Sequence, residues 1–338
     1  MTDGFHDALV TRATADMPER FFDRFMFNLH PDGAAAPSVI LGAGVYPPRN
    51  VVDGFVVLTT ETEQRNLRFS TEHDATDAAS VGPLKWETLE DNTTWRIQLG
   101  ENKTGLELDL VWRARAPYWL GSVDVENTDG NVTSFDHLFQ PGRYEGTLTL
   151  DGSATGVGGW YGLRDRSRGV RTMSGGQGLH IWYQAQFPDR TFGFLLVEDR
   201  RGGRILLEGA VMHDDGRLDD ITDVRHDLAF AAGNDLTGGT IEVVTAGGAT
   251  YRIGADASAG GGYMAGGGYG GHHGKVRGRD FQEFDVYPLD GSVGPTTLDS
   301  ALTDRCCTFE WNGQTGYGIF EFALSRSSSY TYRSSIAT

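Results

Sequence analysis

Between residues 162 and 171 the chain reads Gly-Leu-Arg-Asp-Arg-Ser-Arg-Gly-Val-Arg, four arginines crowded around one aspartate and set between apolar stretches. On a strand, Arg164, Arg166 and Arg168 face one way and Asp165 and Ser167 the other, so Asp165 looks toward a site or a partner strand. A carboxyl placed in a dry site can protonate an alkene, or a tertiary alcohol so that water leaves, and aromatic faces then steady the cation. Asp165 is the candidate acid, with Arg164 beside it and His180 as candidate base or hydrogen-bond donor. Trp160, Tyr161, Arg166, Arg168, Trp182, Tyr183 and Tyr269 are the candidate substrate-binding residues. Desolvation raises a carboxyl's pKa and neighbouring guanidiniums lower it. If Arg164 and Arg171 pair with Asp165, it stays ionised. The alternative is a buried polar lattice of Arg164, Asp165, Ser167 and Arg171 that locks two strands.

Other motifs carry less. Residues 259–274 (AGGGYMAGGGYGGHHG) are the one low-complexity stretch, expected as either a disordered surface loop or a flexible lid bringing Tyr263, Met264 and Tyr269 over an apolar site. Gly156 to Gly162 lacks the final glycine of a dinucleotide fingerprint and the βαβ unit around it. There is no phosphate loop and no G-x-S-x-G elbow. The acidic turn after His213 has Arg225 where a calcium loop needs a carboxylate, and His272-His273 has no partner at ligand spacing. No cofactor and no metal are expected.

The elements that position these residues read as strands. Residues 106–115 alternate apolar and polar at period two, with Leu106, Leu108, Leu110 and Trp112 on one face. Residues 55–60, 95–99, 144–150, 180–187, 191–197, 205–210, 240–245, 250–253, 281–287 and 318–324 read likewise. Turn chemistry separates them at Asp129-Gly130, Asp151-Gly152, Gly202-Gly203, Gly238-Gly239 and Asn312-Gly313. A short leading helix is expected over residues 4–17, ended by Pro18. The pattern predicts an all-β protein of two antiparallel barrel or sandwich domains, residues 1–150 and 151–338, divided at the Asp151 turn.

A chain of 338 residues with 47 glycines is long enough for two β-domains. Its net charge of −17 argues against nucleic acid and anionic lipid as partners. No apolar stretch approaches membrane-spanning length. The adjacent pair Cys306-Cys307 is expected as two reduced thiols in a cytoplasmic protein, and no secretion signal precedes it.

The 162–171 segment resembles the Arg-Asp-His-Ser-Trp-Gly-x-Arg signature of the lipocalin-like superfamily that contains carotenoid 1,2-hydratase (hydroxyneurosporene synthase), specifically an uncharacterised bacterial branch. Arg164, Asp165, Ser167, Gly169 and Arg171 match, while Arg166 and Arg168 stand where the signature has histidine and tryptophan. Flanking stretches agree in order: residues 25–29, 42–47, 53–55, 64–70, 105–110, 143–146 and 186–189. The resemblance implies two lipocalin-like β-domains, no organic cofactor, and chemistry on isoprenoid or polyketide skeletons. The expected function is a cofactor-independent hydratase, dehydratase, isomerase or cyclase acting on an apolar terpenoid, steroid or polyketide-like substrate. The alternative is a non-catalytic carrier for a hydrophobic small molecule. A carboxyl or histidine in the ligand cavity favours the enzyme. A second copy of the chain is a candidate partner.

Overall fold

The computed structural model describes residues 8–32, 36–73, 79–126, 130, 132–171 and 176–336. In chain order the strands are β1 (Phe21–His30), β2 (Ser38–Tyr46), β3 (Val51–Thr59), β4 (Glu63–Glu72), β5 (Ser80–Val81), β6 (Leu84–Glu90), β7 (Thr94–Leu99) and β8 (Leu106–Ala114). There follow β9 (Trp119–Glu126), β10 (Val132–Leu150), β11 (Ser153–Gly156), β12 (Tyr161–Val170), β13 (Gln177–Gln186), β14 (Arg190–Asp199) and β15 (Arg204–His213). The last are β16 (Leu218–Phe230), β17 (Leu236–Thr245), β18 (Thr250–Asp256), β19 (Gly261–Tyr263), β20 (Phe281–Pro288), β21 (Thr303–Trp311) and β22 (Gln314–Leu324). The fold is antiparallel all-β in two domains, as the apolar alternation requires.

The first sheet curls in the order β20-β4-β3-β2-β1-β12-β10-β8-β7-β6-β5, with β9 and β11 also on β10. The second runs β18-β17-β16-β15-β14-β13-β22-β21, and the pairing of β18 with β21 closes it into an eight-strand barrel. Closure leaves no edge along those strands. Each domain fills its own interior. Phe25, Phe27, Trp95, Trp112 and Tyr144 lie in the first core, and Tyr183, Phe194, Phe309 and Phe320 in the second. A third buried cluster joins the two domains, with Met26, Phe139 and Leu163 from the first sheet against Trp182, Leu195, Met212 and Ile319 from the outside of the barrel.

Four local expectations differ from the structure. The sheets do not change at the Asp151 turn: β11 and β12 pair back onto β10, and the barrel begins only at β13. Asp151-Gly152 is a hairpin turn inside the first sheet, with both residues at positive φ. The leading helix is absent from residues 8–17, while residues 4–7 lie outside the described ones. Leu9 is instead buried in the first core, and the Val10 N–H donates to Asp23 Oδ2 at 2.8 Å. So short a helix has little stability of its own to set against those contacts. Gly238-Gly239 lies within β17; Asp129 lies outside the described residues.

The glycine-rich stretch is neither a lid nor a free loop. It runs as a strap between the domains, with Tyr263, Met264 and Ala265 buried. Gln64 clamps it, accepting from the Tyr263 N–H at 2.6 Å and donating to the Tyr263 carbonyl at 2.8 Å. Glycine is required where the strap presses on β4: a Cβ at Gly266 would stand 1.9 Å from Asn66 Oδ1.

Candidate functional site

Strand β12 is the wall on which the site is built. Its even residues turn into the first core, where Arg166 and Asp23 form a fully buried bidentate ion pair, Nε to Oδ1 at 3.0 Å and Nη2 to Oδ2 at 2.8 Å. Arg164, also fully buried, lies over the Trp95 ring at 5.1 Å. Arg168, near the strand's end, reaches Asp136 at 3.5 Å. The odd residues Asp165 and Ser167 face the barrel across a cavity of about 110 Å³ between the domains.

Its lining includes Arg24, Phe25 and Met26 from β1, His137 from β10, and His180, Trp182, Leu195 and Glu321 from the barrel wall. Arg171, just past β12, Tyr269 of the strap and Leu302 complete it. The structure therefore brings together Asp165, His180, Trp182 and Tyr269 of the expected residues, and Arg171 with them. It places the others elsewhere. Tyr183 alternates away from Trp182 and stacks on Phe194 inside the barrel. Trp160 packs on the first core, and Tyr161 lies between His30 and Arg143. Arg164, Arg166 and Arg168 are behind the wall or at its edge, for the reason of strand parity.

The chemistry centres on two residues that sequence spacing did not single out, His137 and Glu321. The His137 imidazole lies between two carboxylates, with Nε2 2.6 Å from Asp165 and Nδ1 2.5 Å from Glu208 of β15. Burial opposes its charge, but Asp165 and Glu208 together outweigh burial and raise its pKa to about 9. At neutral pH it is an imidazolium donating both N–H groups. Asp165 is thus committed to His137, not to Arg164 or Arg171.

Glu321 stands directly opposite Asp304 in the β21–β22 register and opposite Trp182 in the β13–β22 register. Burial pushes its carboxyl up to about 7, with the charge of Asp165 also raising it and Asp304, Arg171 and His137 drawing it down. Burial, reinforced by Glu321, lifts Asp304 far above the usual carboxylate range. His180 Nε2 lies 2.9 Å from Glu321 Oε1. Burial and the cations Arg171 and His137 press its pKa down to about 3, so it is a neutral imidazole. Burial raises the Tyr269 hydroxyl to about 12.

A wider cleft of about 620 Å³ opens beside Asp235, Tyr263 and Arg305, whose charged groups pair with each other. Among the described residues no group of three or more His, Cys, Asp or Glu is placed to hold a metal ion. Cys306 and Cys307 are buried and free, on opposite faces of β21. Among the described residues no helix is long and apolar enough to cross a membrane.

In fold the chain is similar to the crystal structure of a Nitrosomonas europaea protein assigned as AttH, at TM-score 0.59 and 13% identity over 94% of this chain and 97% of that one. It is more distantly similar to kievitone hydratase from Nectria haematococca, at TM-score 0.48 and 10% identity over 94% and 93% of the two chains. No curated protein matches it in sequence. The model of the Family of unknown function (DUF8625) matches residues 5–331, nearly the whole length, and the chain belongs to that family.

Proposed function

We propose that this protein is a cofactor-independent acid–base enzyme, a hydratase or dehydratase by preference over an isomerase or cyclase. Its substrate would be an apolar skeleton of the terpenoid, steroid or polyketide kind, bound in the interdomain cavity. One observation carries the reading: a carboxyl poised near neutrality, Glu321, and a neutral imidazole, His180, lie 2.9 Å apart in a cavity that Trp182 and Tyr269 also line. A donor and an acceptor with pKa values pushed to opposite sides of their ordinary ones are what general acid–base catalysis needs. The resemblance of residues 162–171 to the carotenoid hydratase signature points to the same chemistry.

In the hydration direction, Glu321 gives its proton to one alkene carbon and the other becomes cationic. The aromatic faces of Trp182 and Tyr269 stabilise that cation. Water adds to it, and the proton water loses passes to His180 and back to the Glu321 carboxylate. Dehydration is the same sequence reversed. Asp165 holds the imidazolium of His137 at the wall, and Arg164 takes no part.

Native mass spectrometry of the protein from its own host identifies the bound compound, and incubation with that compound in ¹⁸O-water reads turnover. Glu321→Gln is expected to lower turnover about 10²–10⁴-fold with the compound still bound. kcat/KM should fall above pH 7 as Glu321 ionises. Full activity in Glu321→Gln overturns the mechanism. A bound compound that is never converted favours the carrier.

A further inference from the structure

We infer that the cavity's ligand carries a carboxylate held between Arg24 and Arg171, so that it is an apolar acid rather than a neutral hydrocarbon. This rests on the interdomain cavity being the binding site. Arg24 reaches it from β1 and Arg171 from just past the neighbouring β12, and they share one aromatic seat. Each guanidinium carbon is 5.9 Å from the centre of the Phe22 ring. Arg171 also lies over Phe135 at 4.3 Å. Arg24 lies over Tyr269 at 5.3 Å and donates to its hydroxyl at 3.2 Å.

These partners are ring faces and a neutral hydroxyl. Among the described residues neither guanidinium has a carboxylate at ion-pair distance. Yet the chain holds 46 acidic side chains against 29 basic ones, so carboxylates were not in short supply. Those at the cavity are engaged elsewhere, Asp165 by His137 and Glu321 by His180. Two like charges on one ring repel, and an anion placed between them relieves that repulsion.

The seat for Arg24 is built into the sheet. Gly44 faces it across the β1–β2 register, and a Cβ there would stand 2.5 Å from Arg24 Cγ. The occupant best matched is a monoanion. Two planar guanidiniums complement a carboxylate. A phosphate would bring a second charge toward Asp165, and among the described residues the only helices are short 3₁₀ turns, so no α-helix N-terminus shares that load.

Isothermal titration calorimetry with octanoate, 1-octanol and octyl phosphate tests this. Octanoate is expected to bind about tenfold more tightly than either other probe. Arg24→Gln and Arg171→Gln should each weaken octanoate about tenfold and leave 1-octanol unchanged, while Arg24→Lys recovers part of the loss. Arg171 is exposed, so its variant folds and keeps the test decisive even if Arg24→Gln does not. Equal binding of octanoate and 1-octanol, tighter binding of octyl phosphate, or undiminished octanoate binding in Arg171→Gln overturns the inference. Because binding is read without turnover, acid selectivity in a protein with no activity would sink only the enzyme. Turnover of a neutral compound by Arg24→Gln/Arg171→Gln would sink only the acid.

Discussion

His137 makes the sharpest demand on the fold at the scale of single residues. It is buried with a carboxylate on each ring nitrogen, and the arrangement is stable only while the ring is charged. Its pKa is raised in the folded state, from 6.5 to about 9, so the folded chain holds a proton that the unfolded chain releases in that interval. The stabilisation is complete below about 6.5 and is lost as pH climbs through 9, on the order of 3 kcal/mol in all. Urea melts at pH 6, 8 and 10 should show that decline, and His137→Gln, less stable throughout, should lack it. A wild-type stability that holds flat from pH 6 to 10 would contradict the charged ring. Little of this could be read from the sequence. Parity on one strand correctly sends Asp165 away from its arginine neighbours. But His137 lies 28 residues from Asp165 and 71 from Glu208, and Glu321 lies 141 from His180. Their roles arise from cross-strand register, which no local spacing encodes.

At the scale of elements, β12 divides two kinds of work. Its even side ties the first core through the Arg166–Asp23 pair, which the sequence did not single out, while its odd side supplies the cavity. The strands with clean alternation, such as β8, were legible because one face meets water. β2 and β3 are buried along their whole length and offer no alternation to detect. The strap was misjudged because glycine content suggests freedom, whereas here it permits close packing. Its hold is Gln64: Gln64→Ala removes two hydrogen bonds to Tyr263 and leaves the buried Tyr263 N–H unmet, while the carbonyl keeps the Gly266 N–H. A loss of about 2–3 kcal/mol is expected, with faster amide exchange confined to residues 261–269. Unchanged exchange there would show that packing alone seats the strap.

For the whole molecule, the buried seam between sheet and barrel joins the two domains into one thermodynamic unit. Calorimetry should show a single transition whose calorimetric and van't Hoff enthalpies agree; two resolved peaks would mean that the seam is weak.

The return of β20 to the first sheet also sets an order of assembly. The chain leaves the barrel after β19, lays β20 along β4, and only then supplies β21 and β22, one of which closes the barrel against β18. On the ribosome, β4 stays an uncovered edge until residue 288 has emerged, and the second sheet stays an unclosed ribbon until after that. A synthesis arrested just before β21 therefore yields a first sheet with every strand in place, tethered to a barrel ribbon that lacks its last two strands and cannot close.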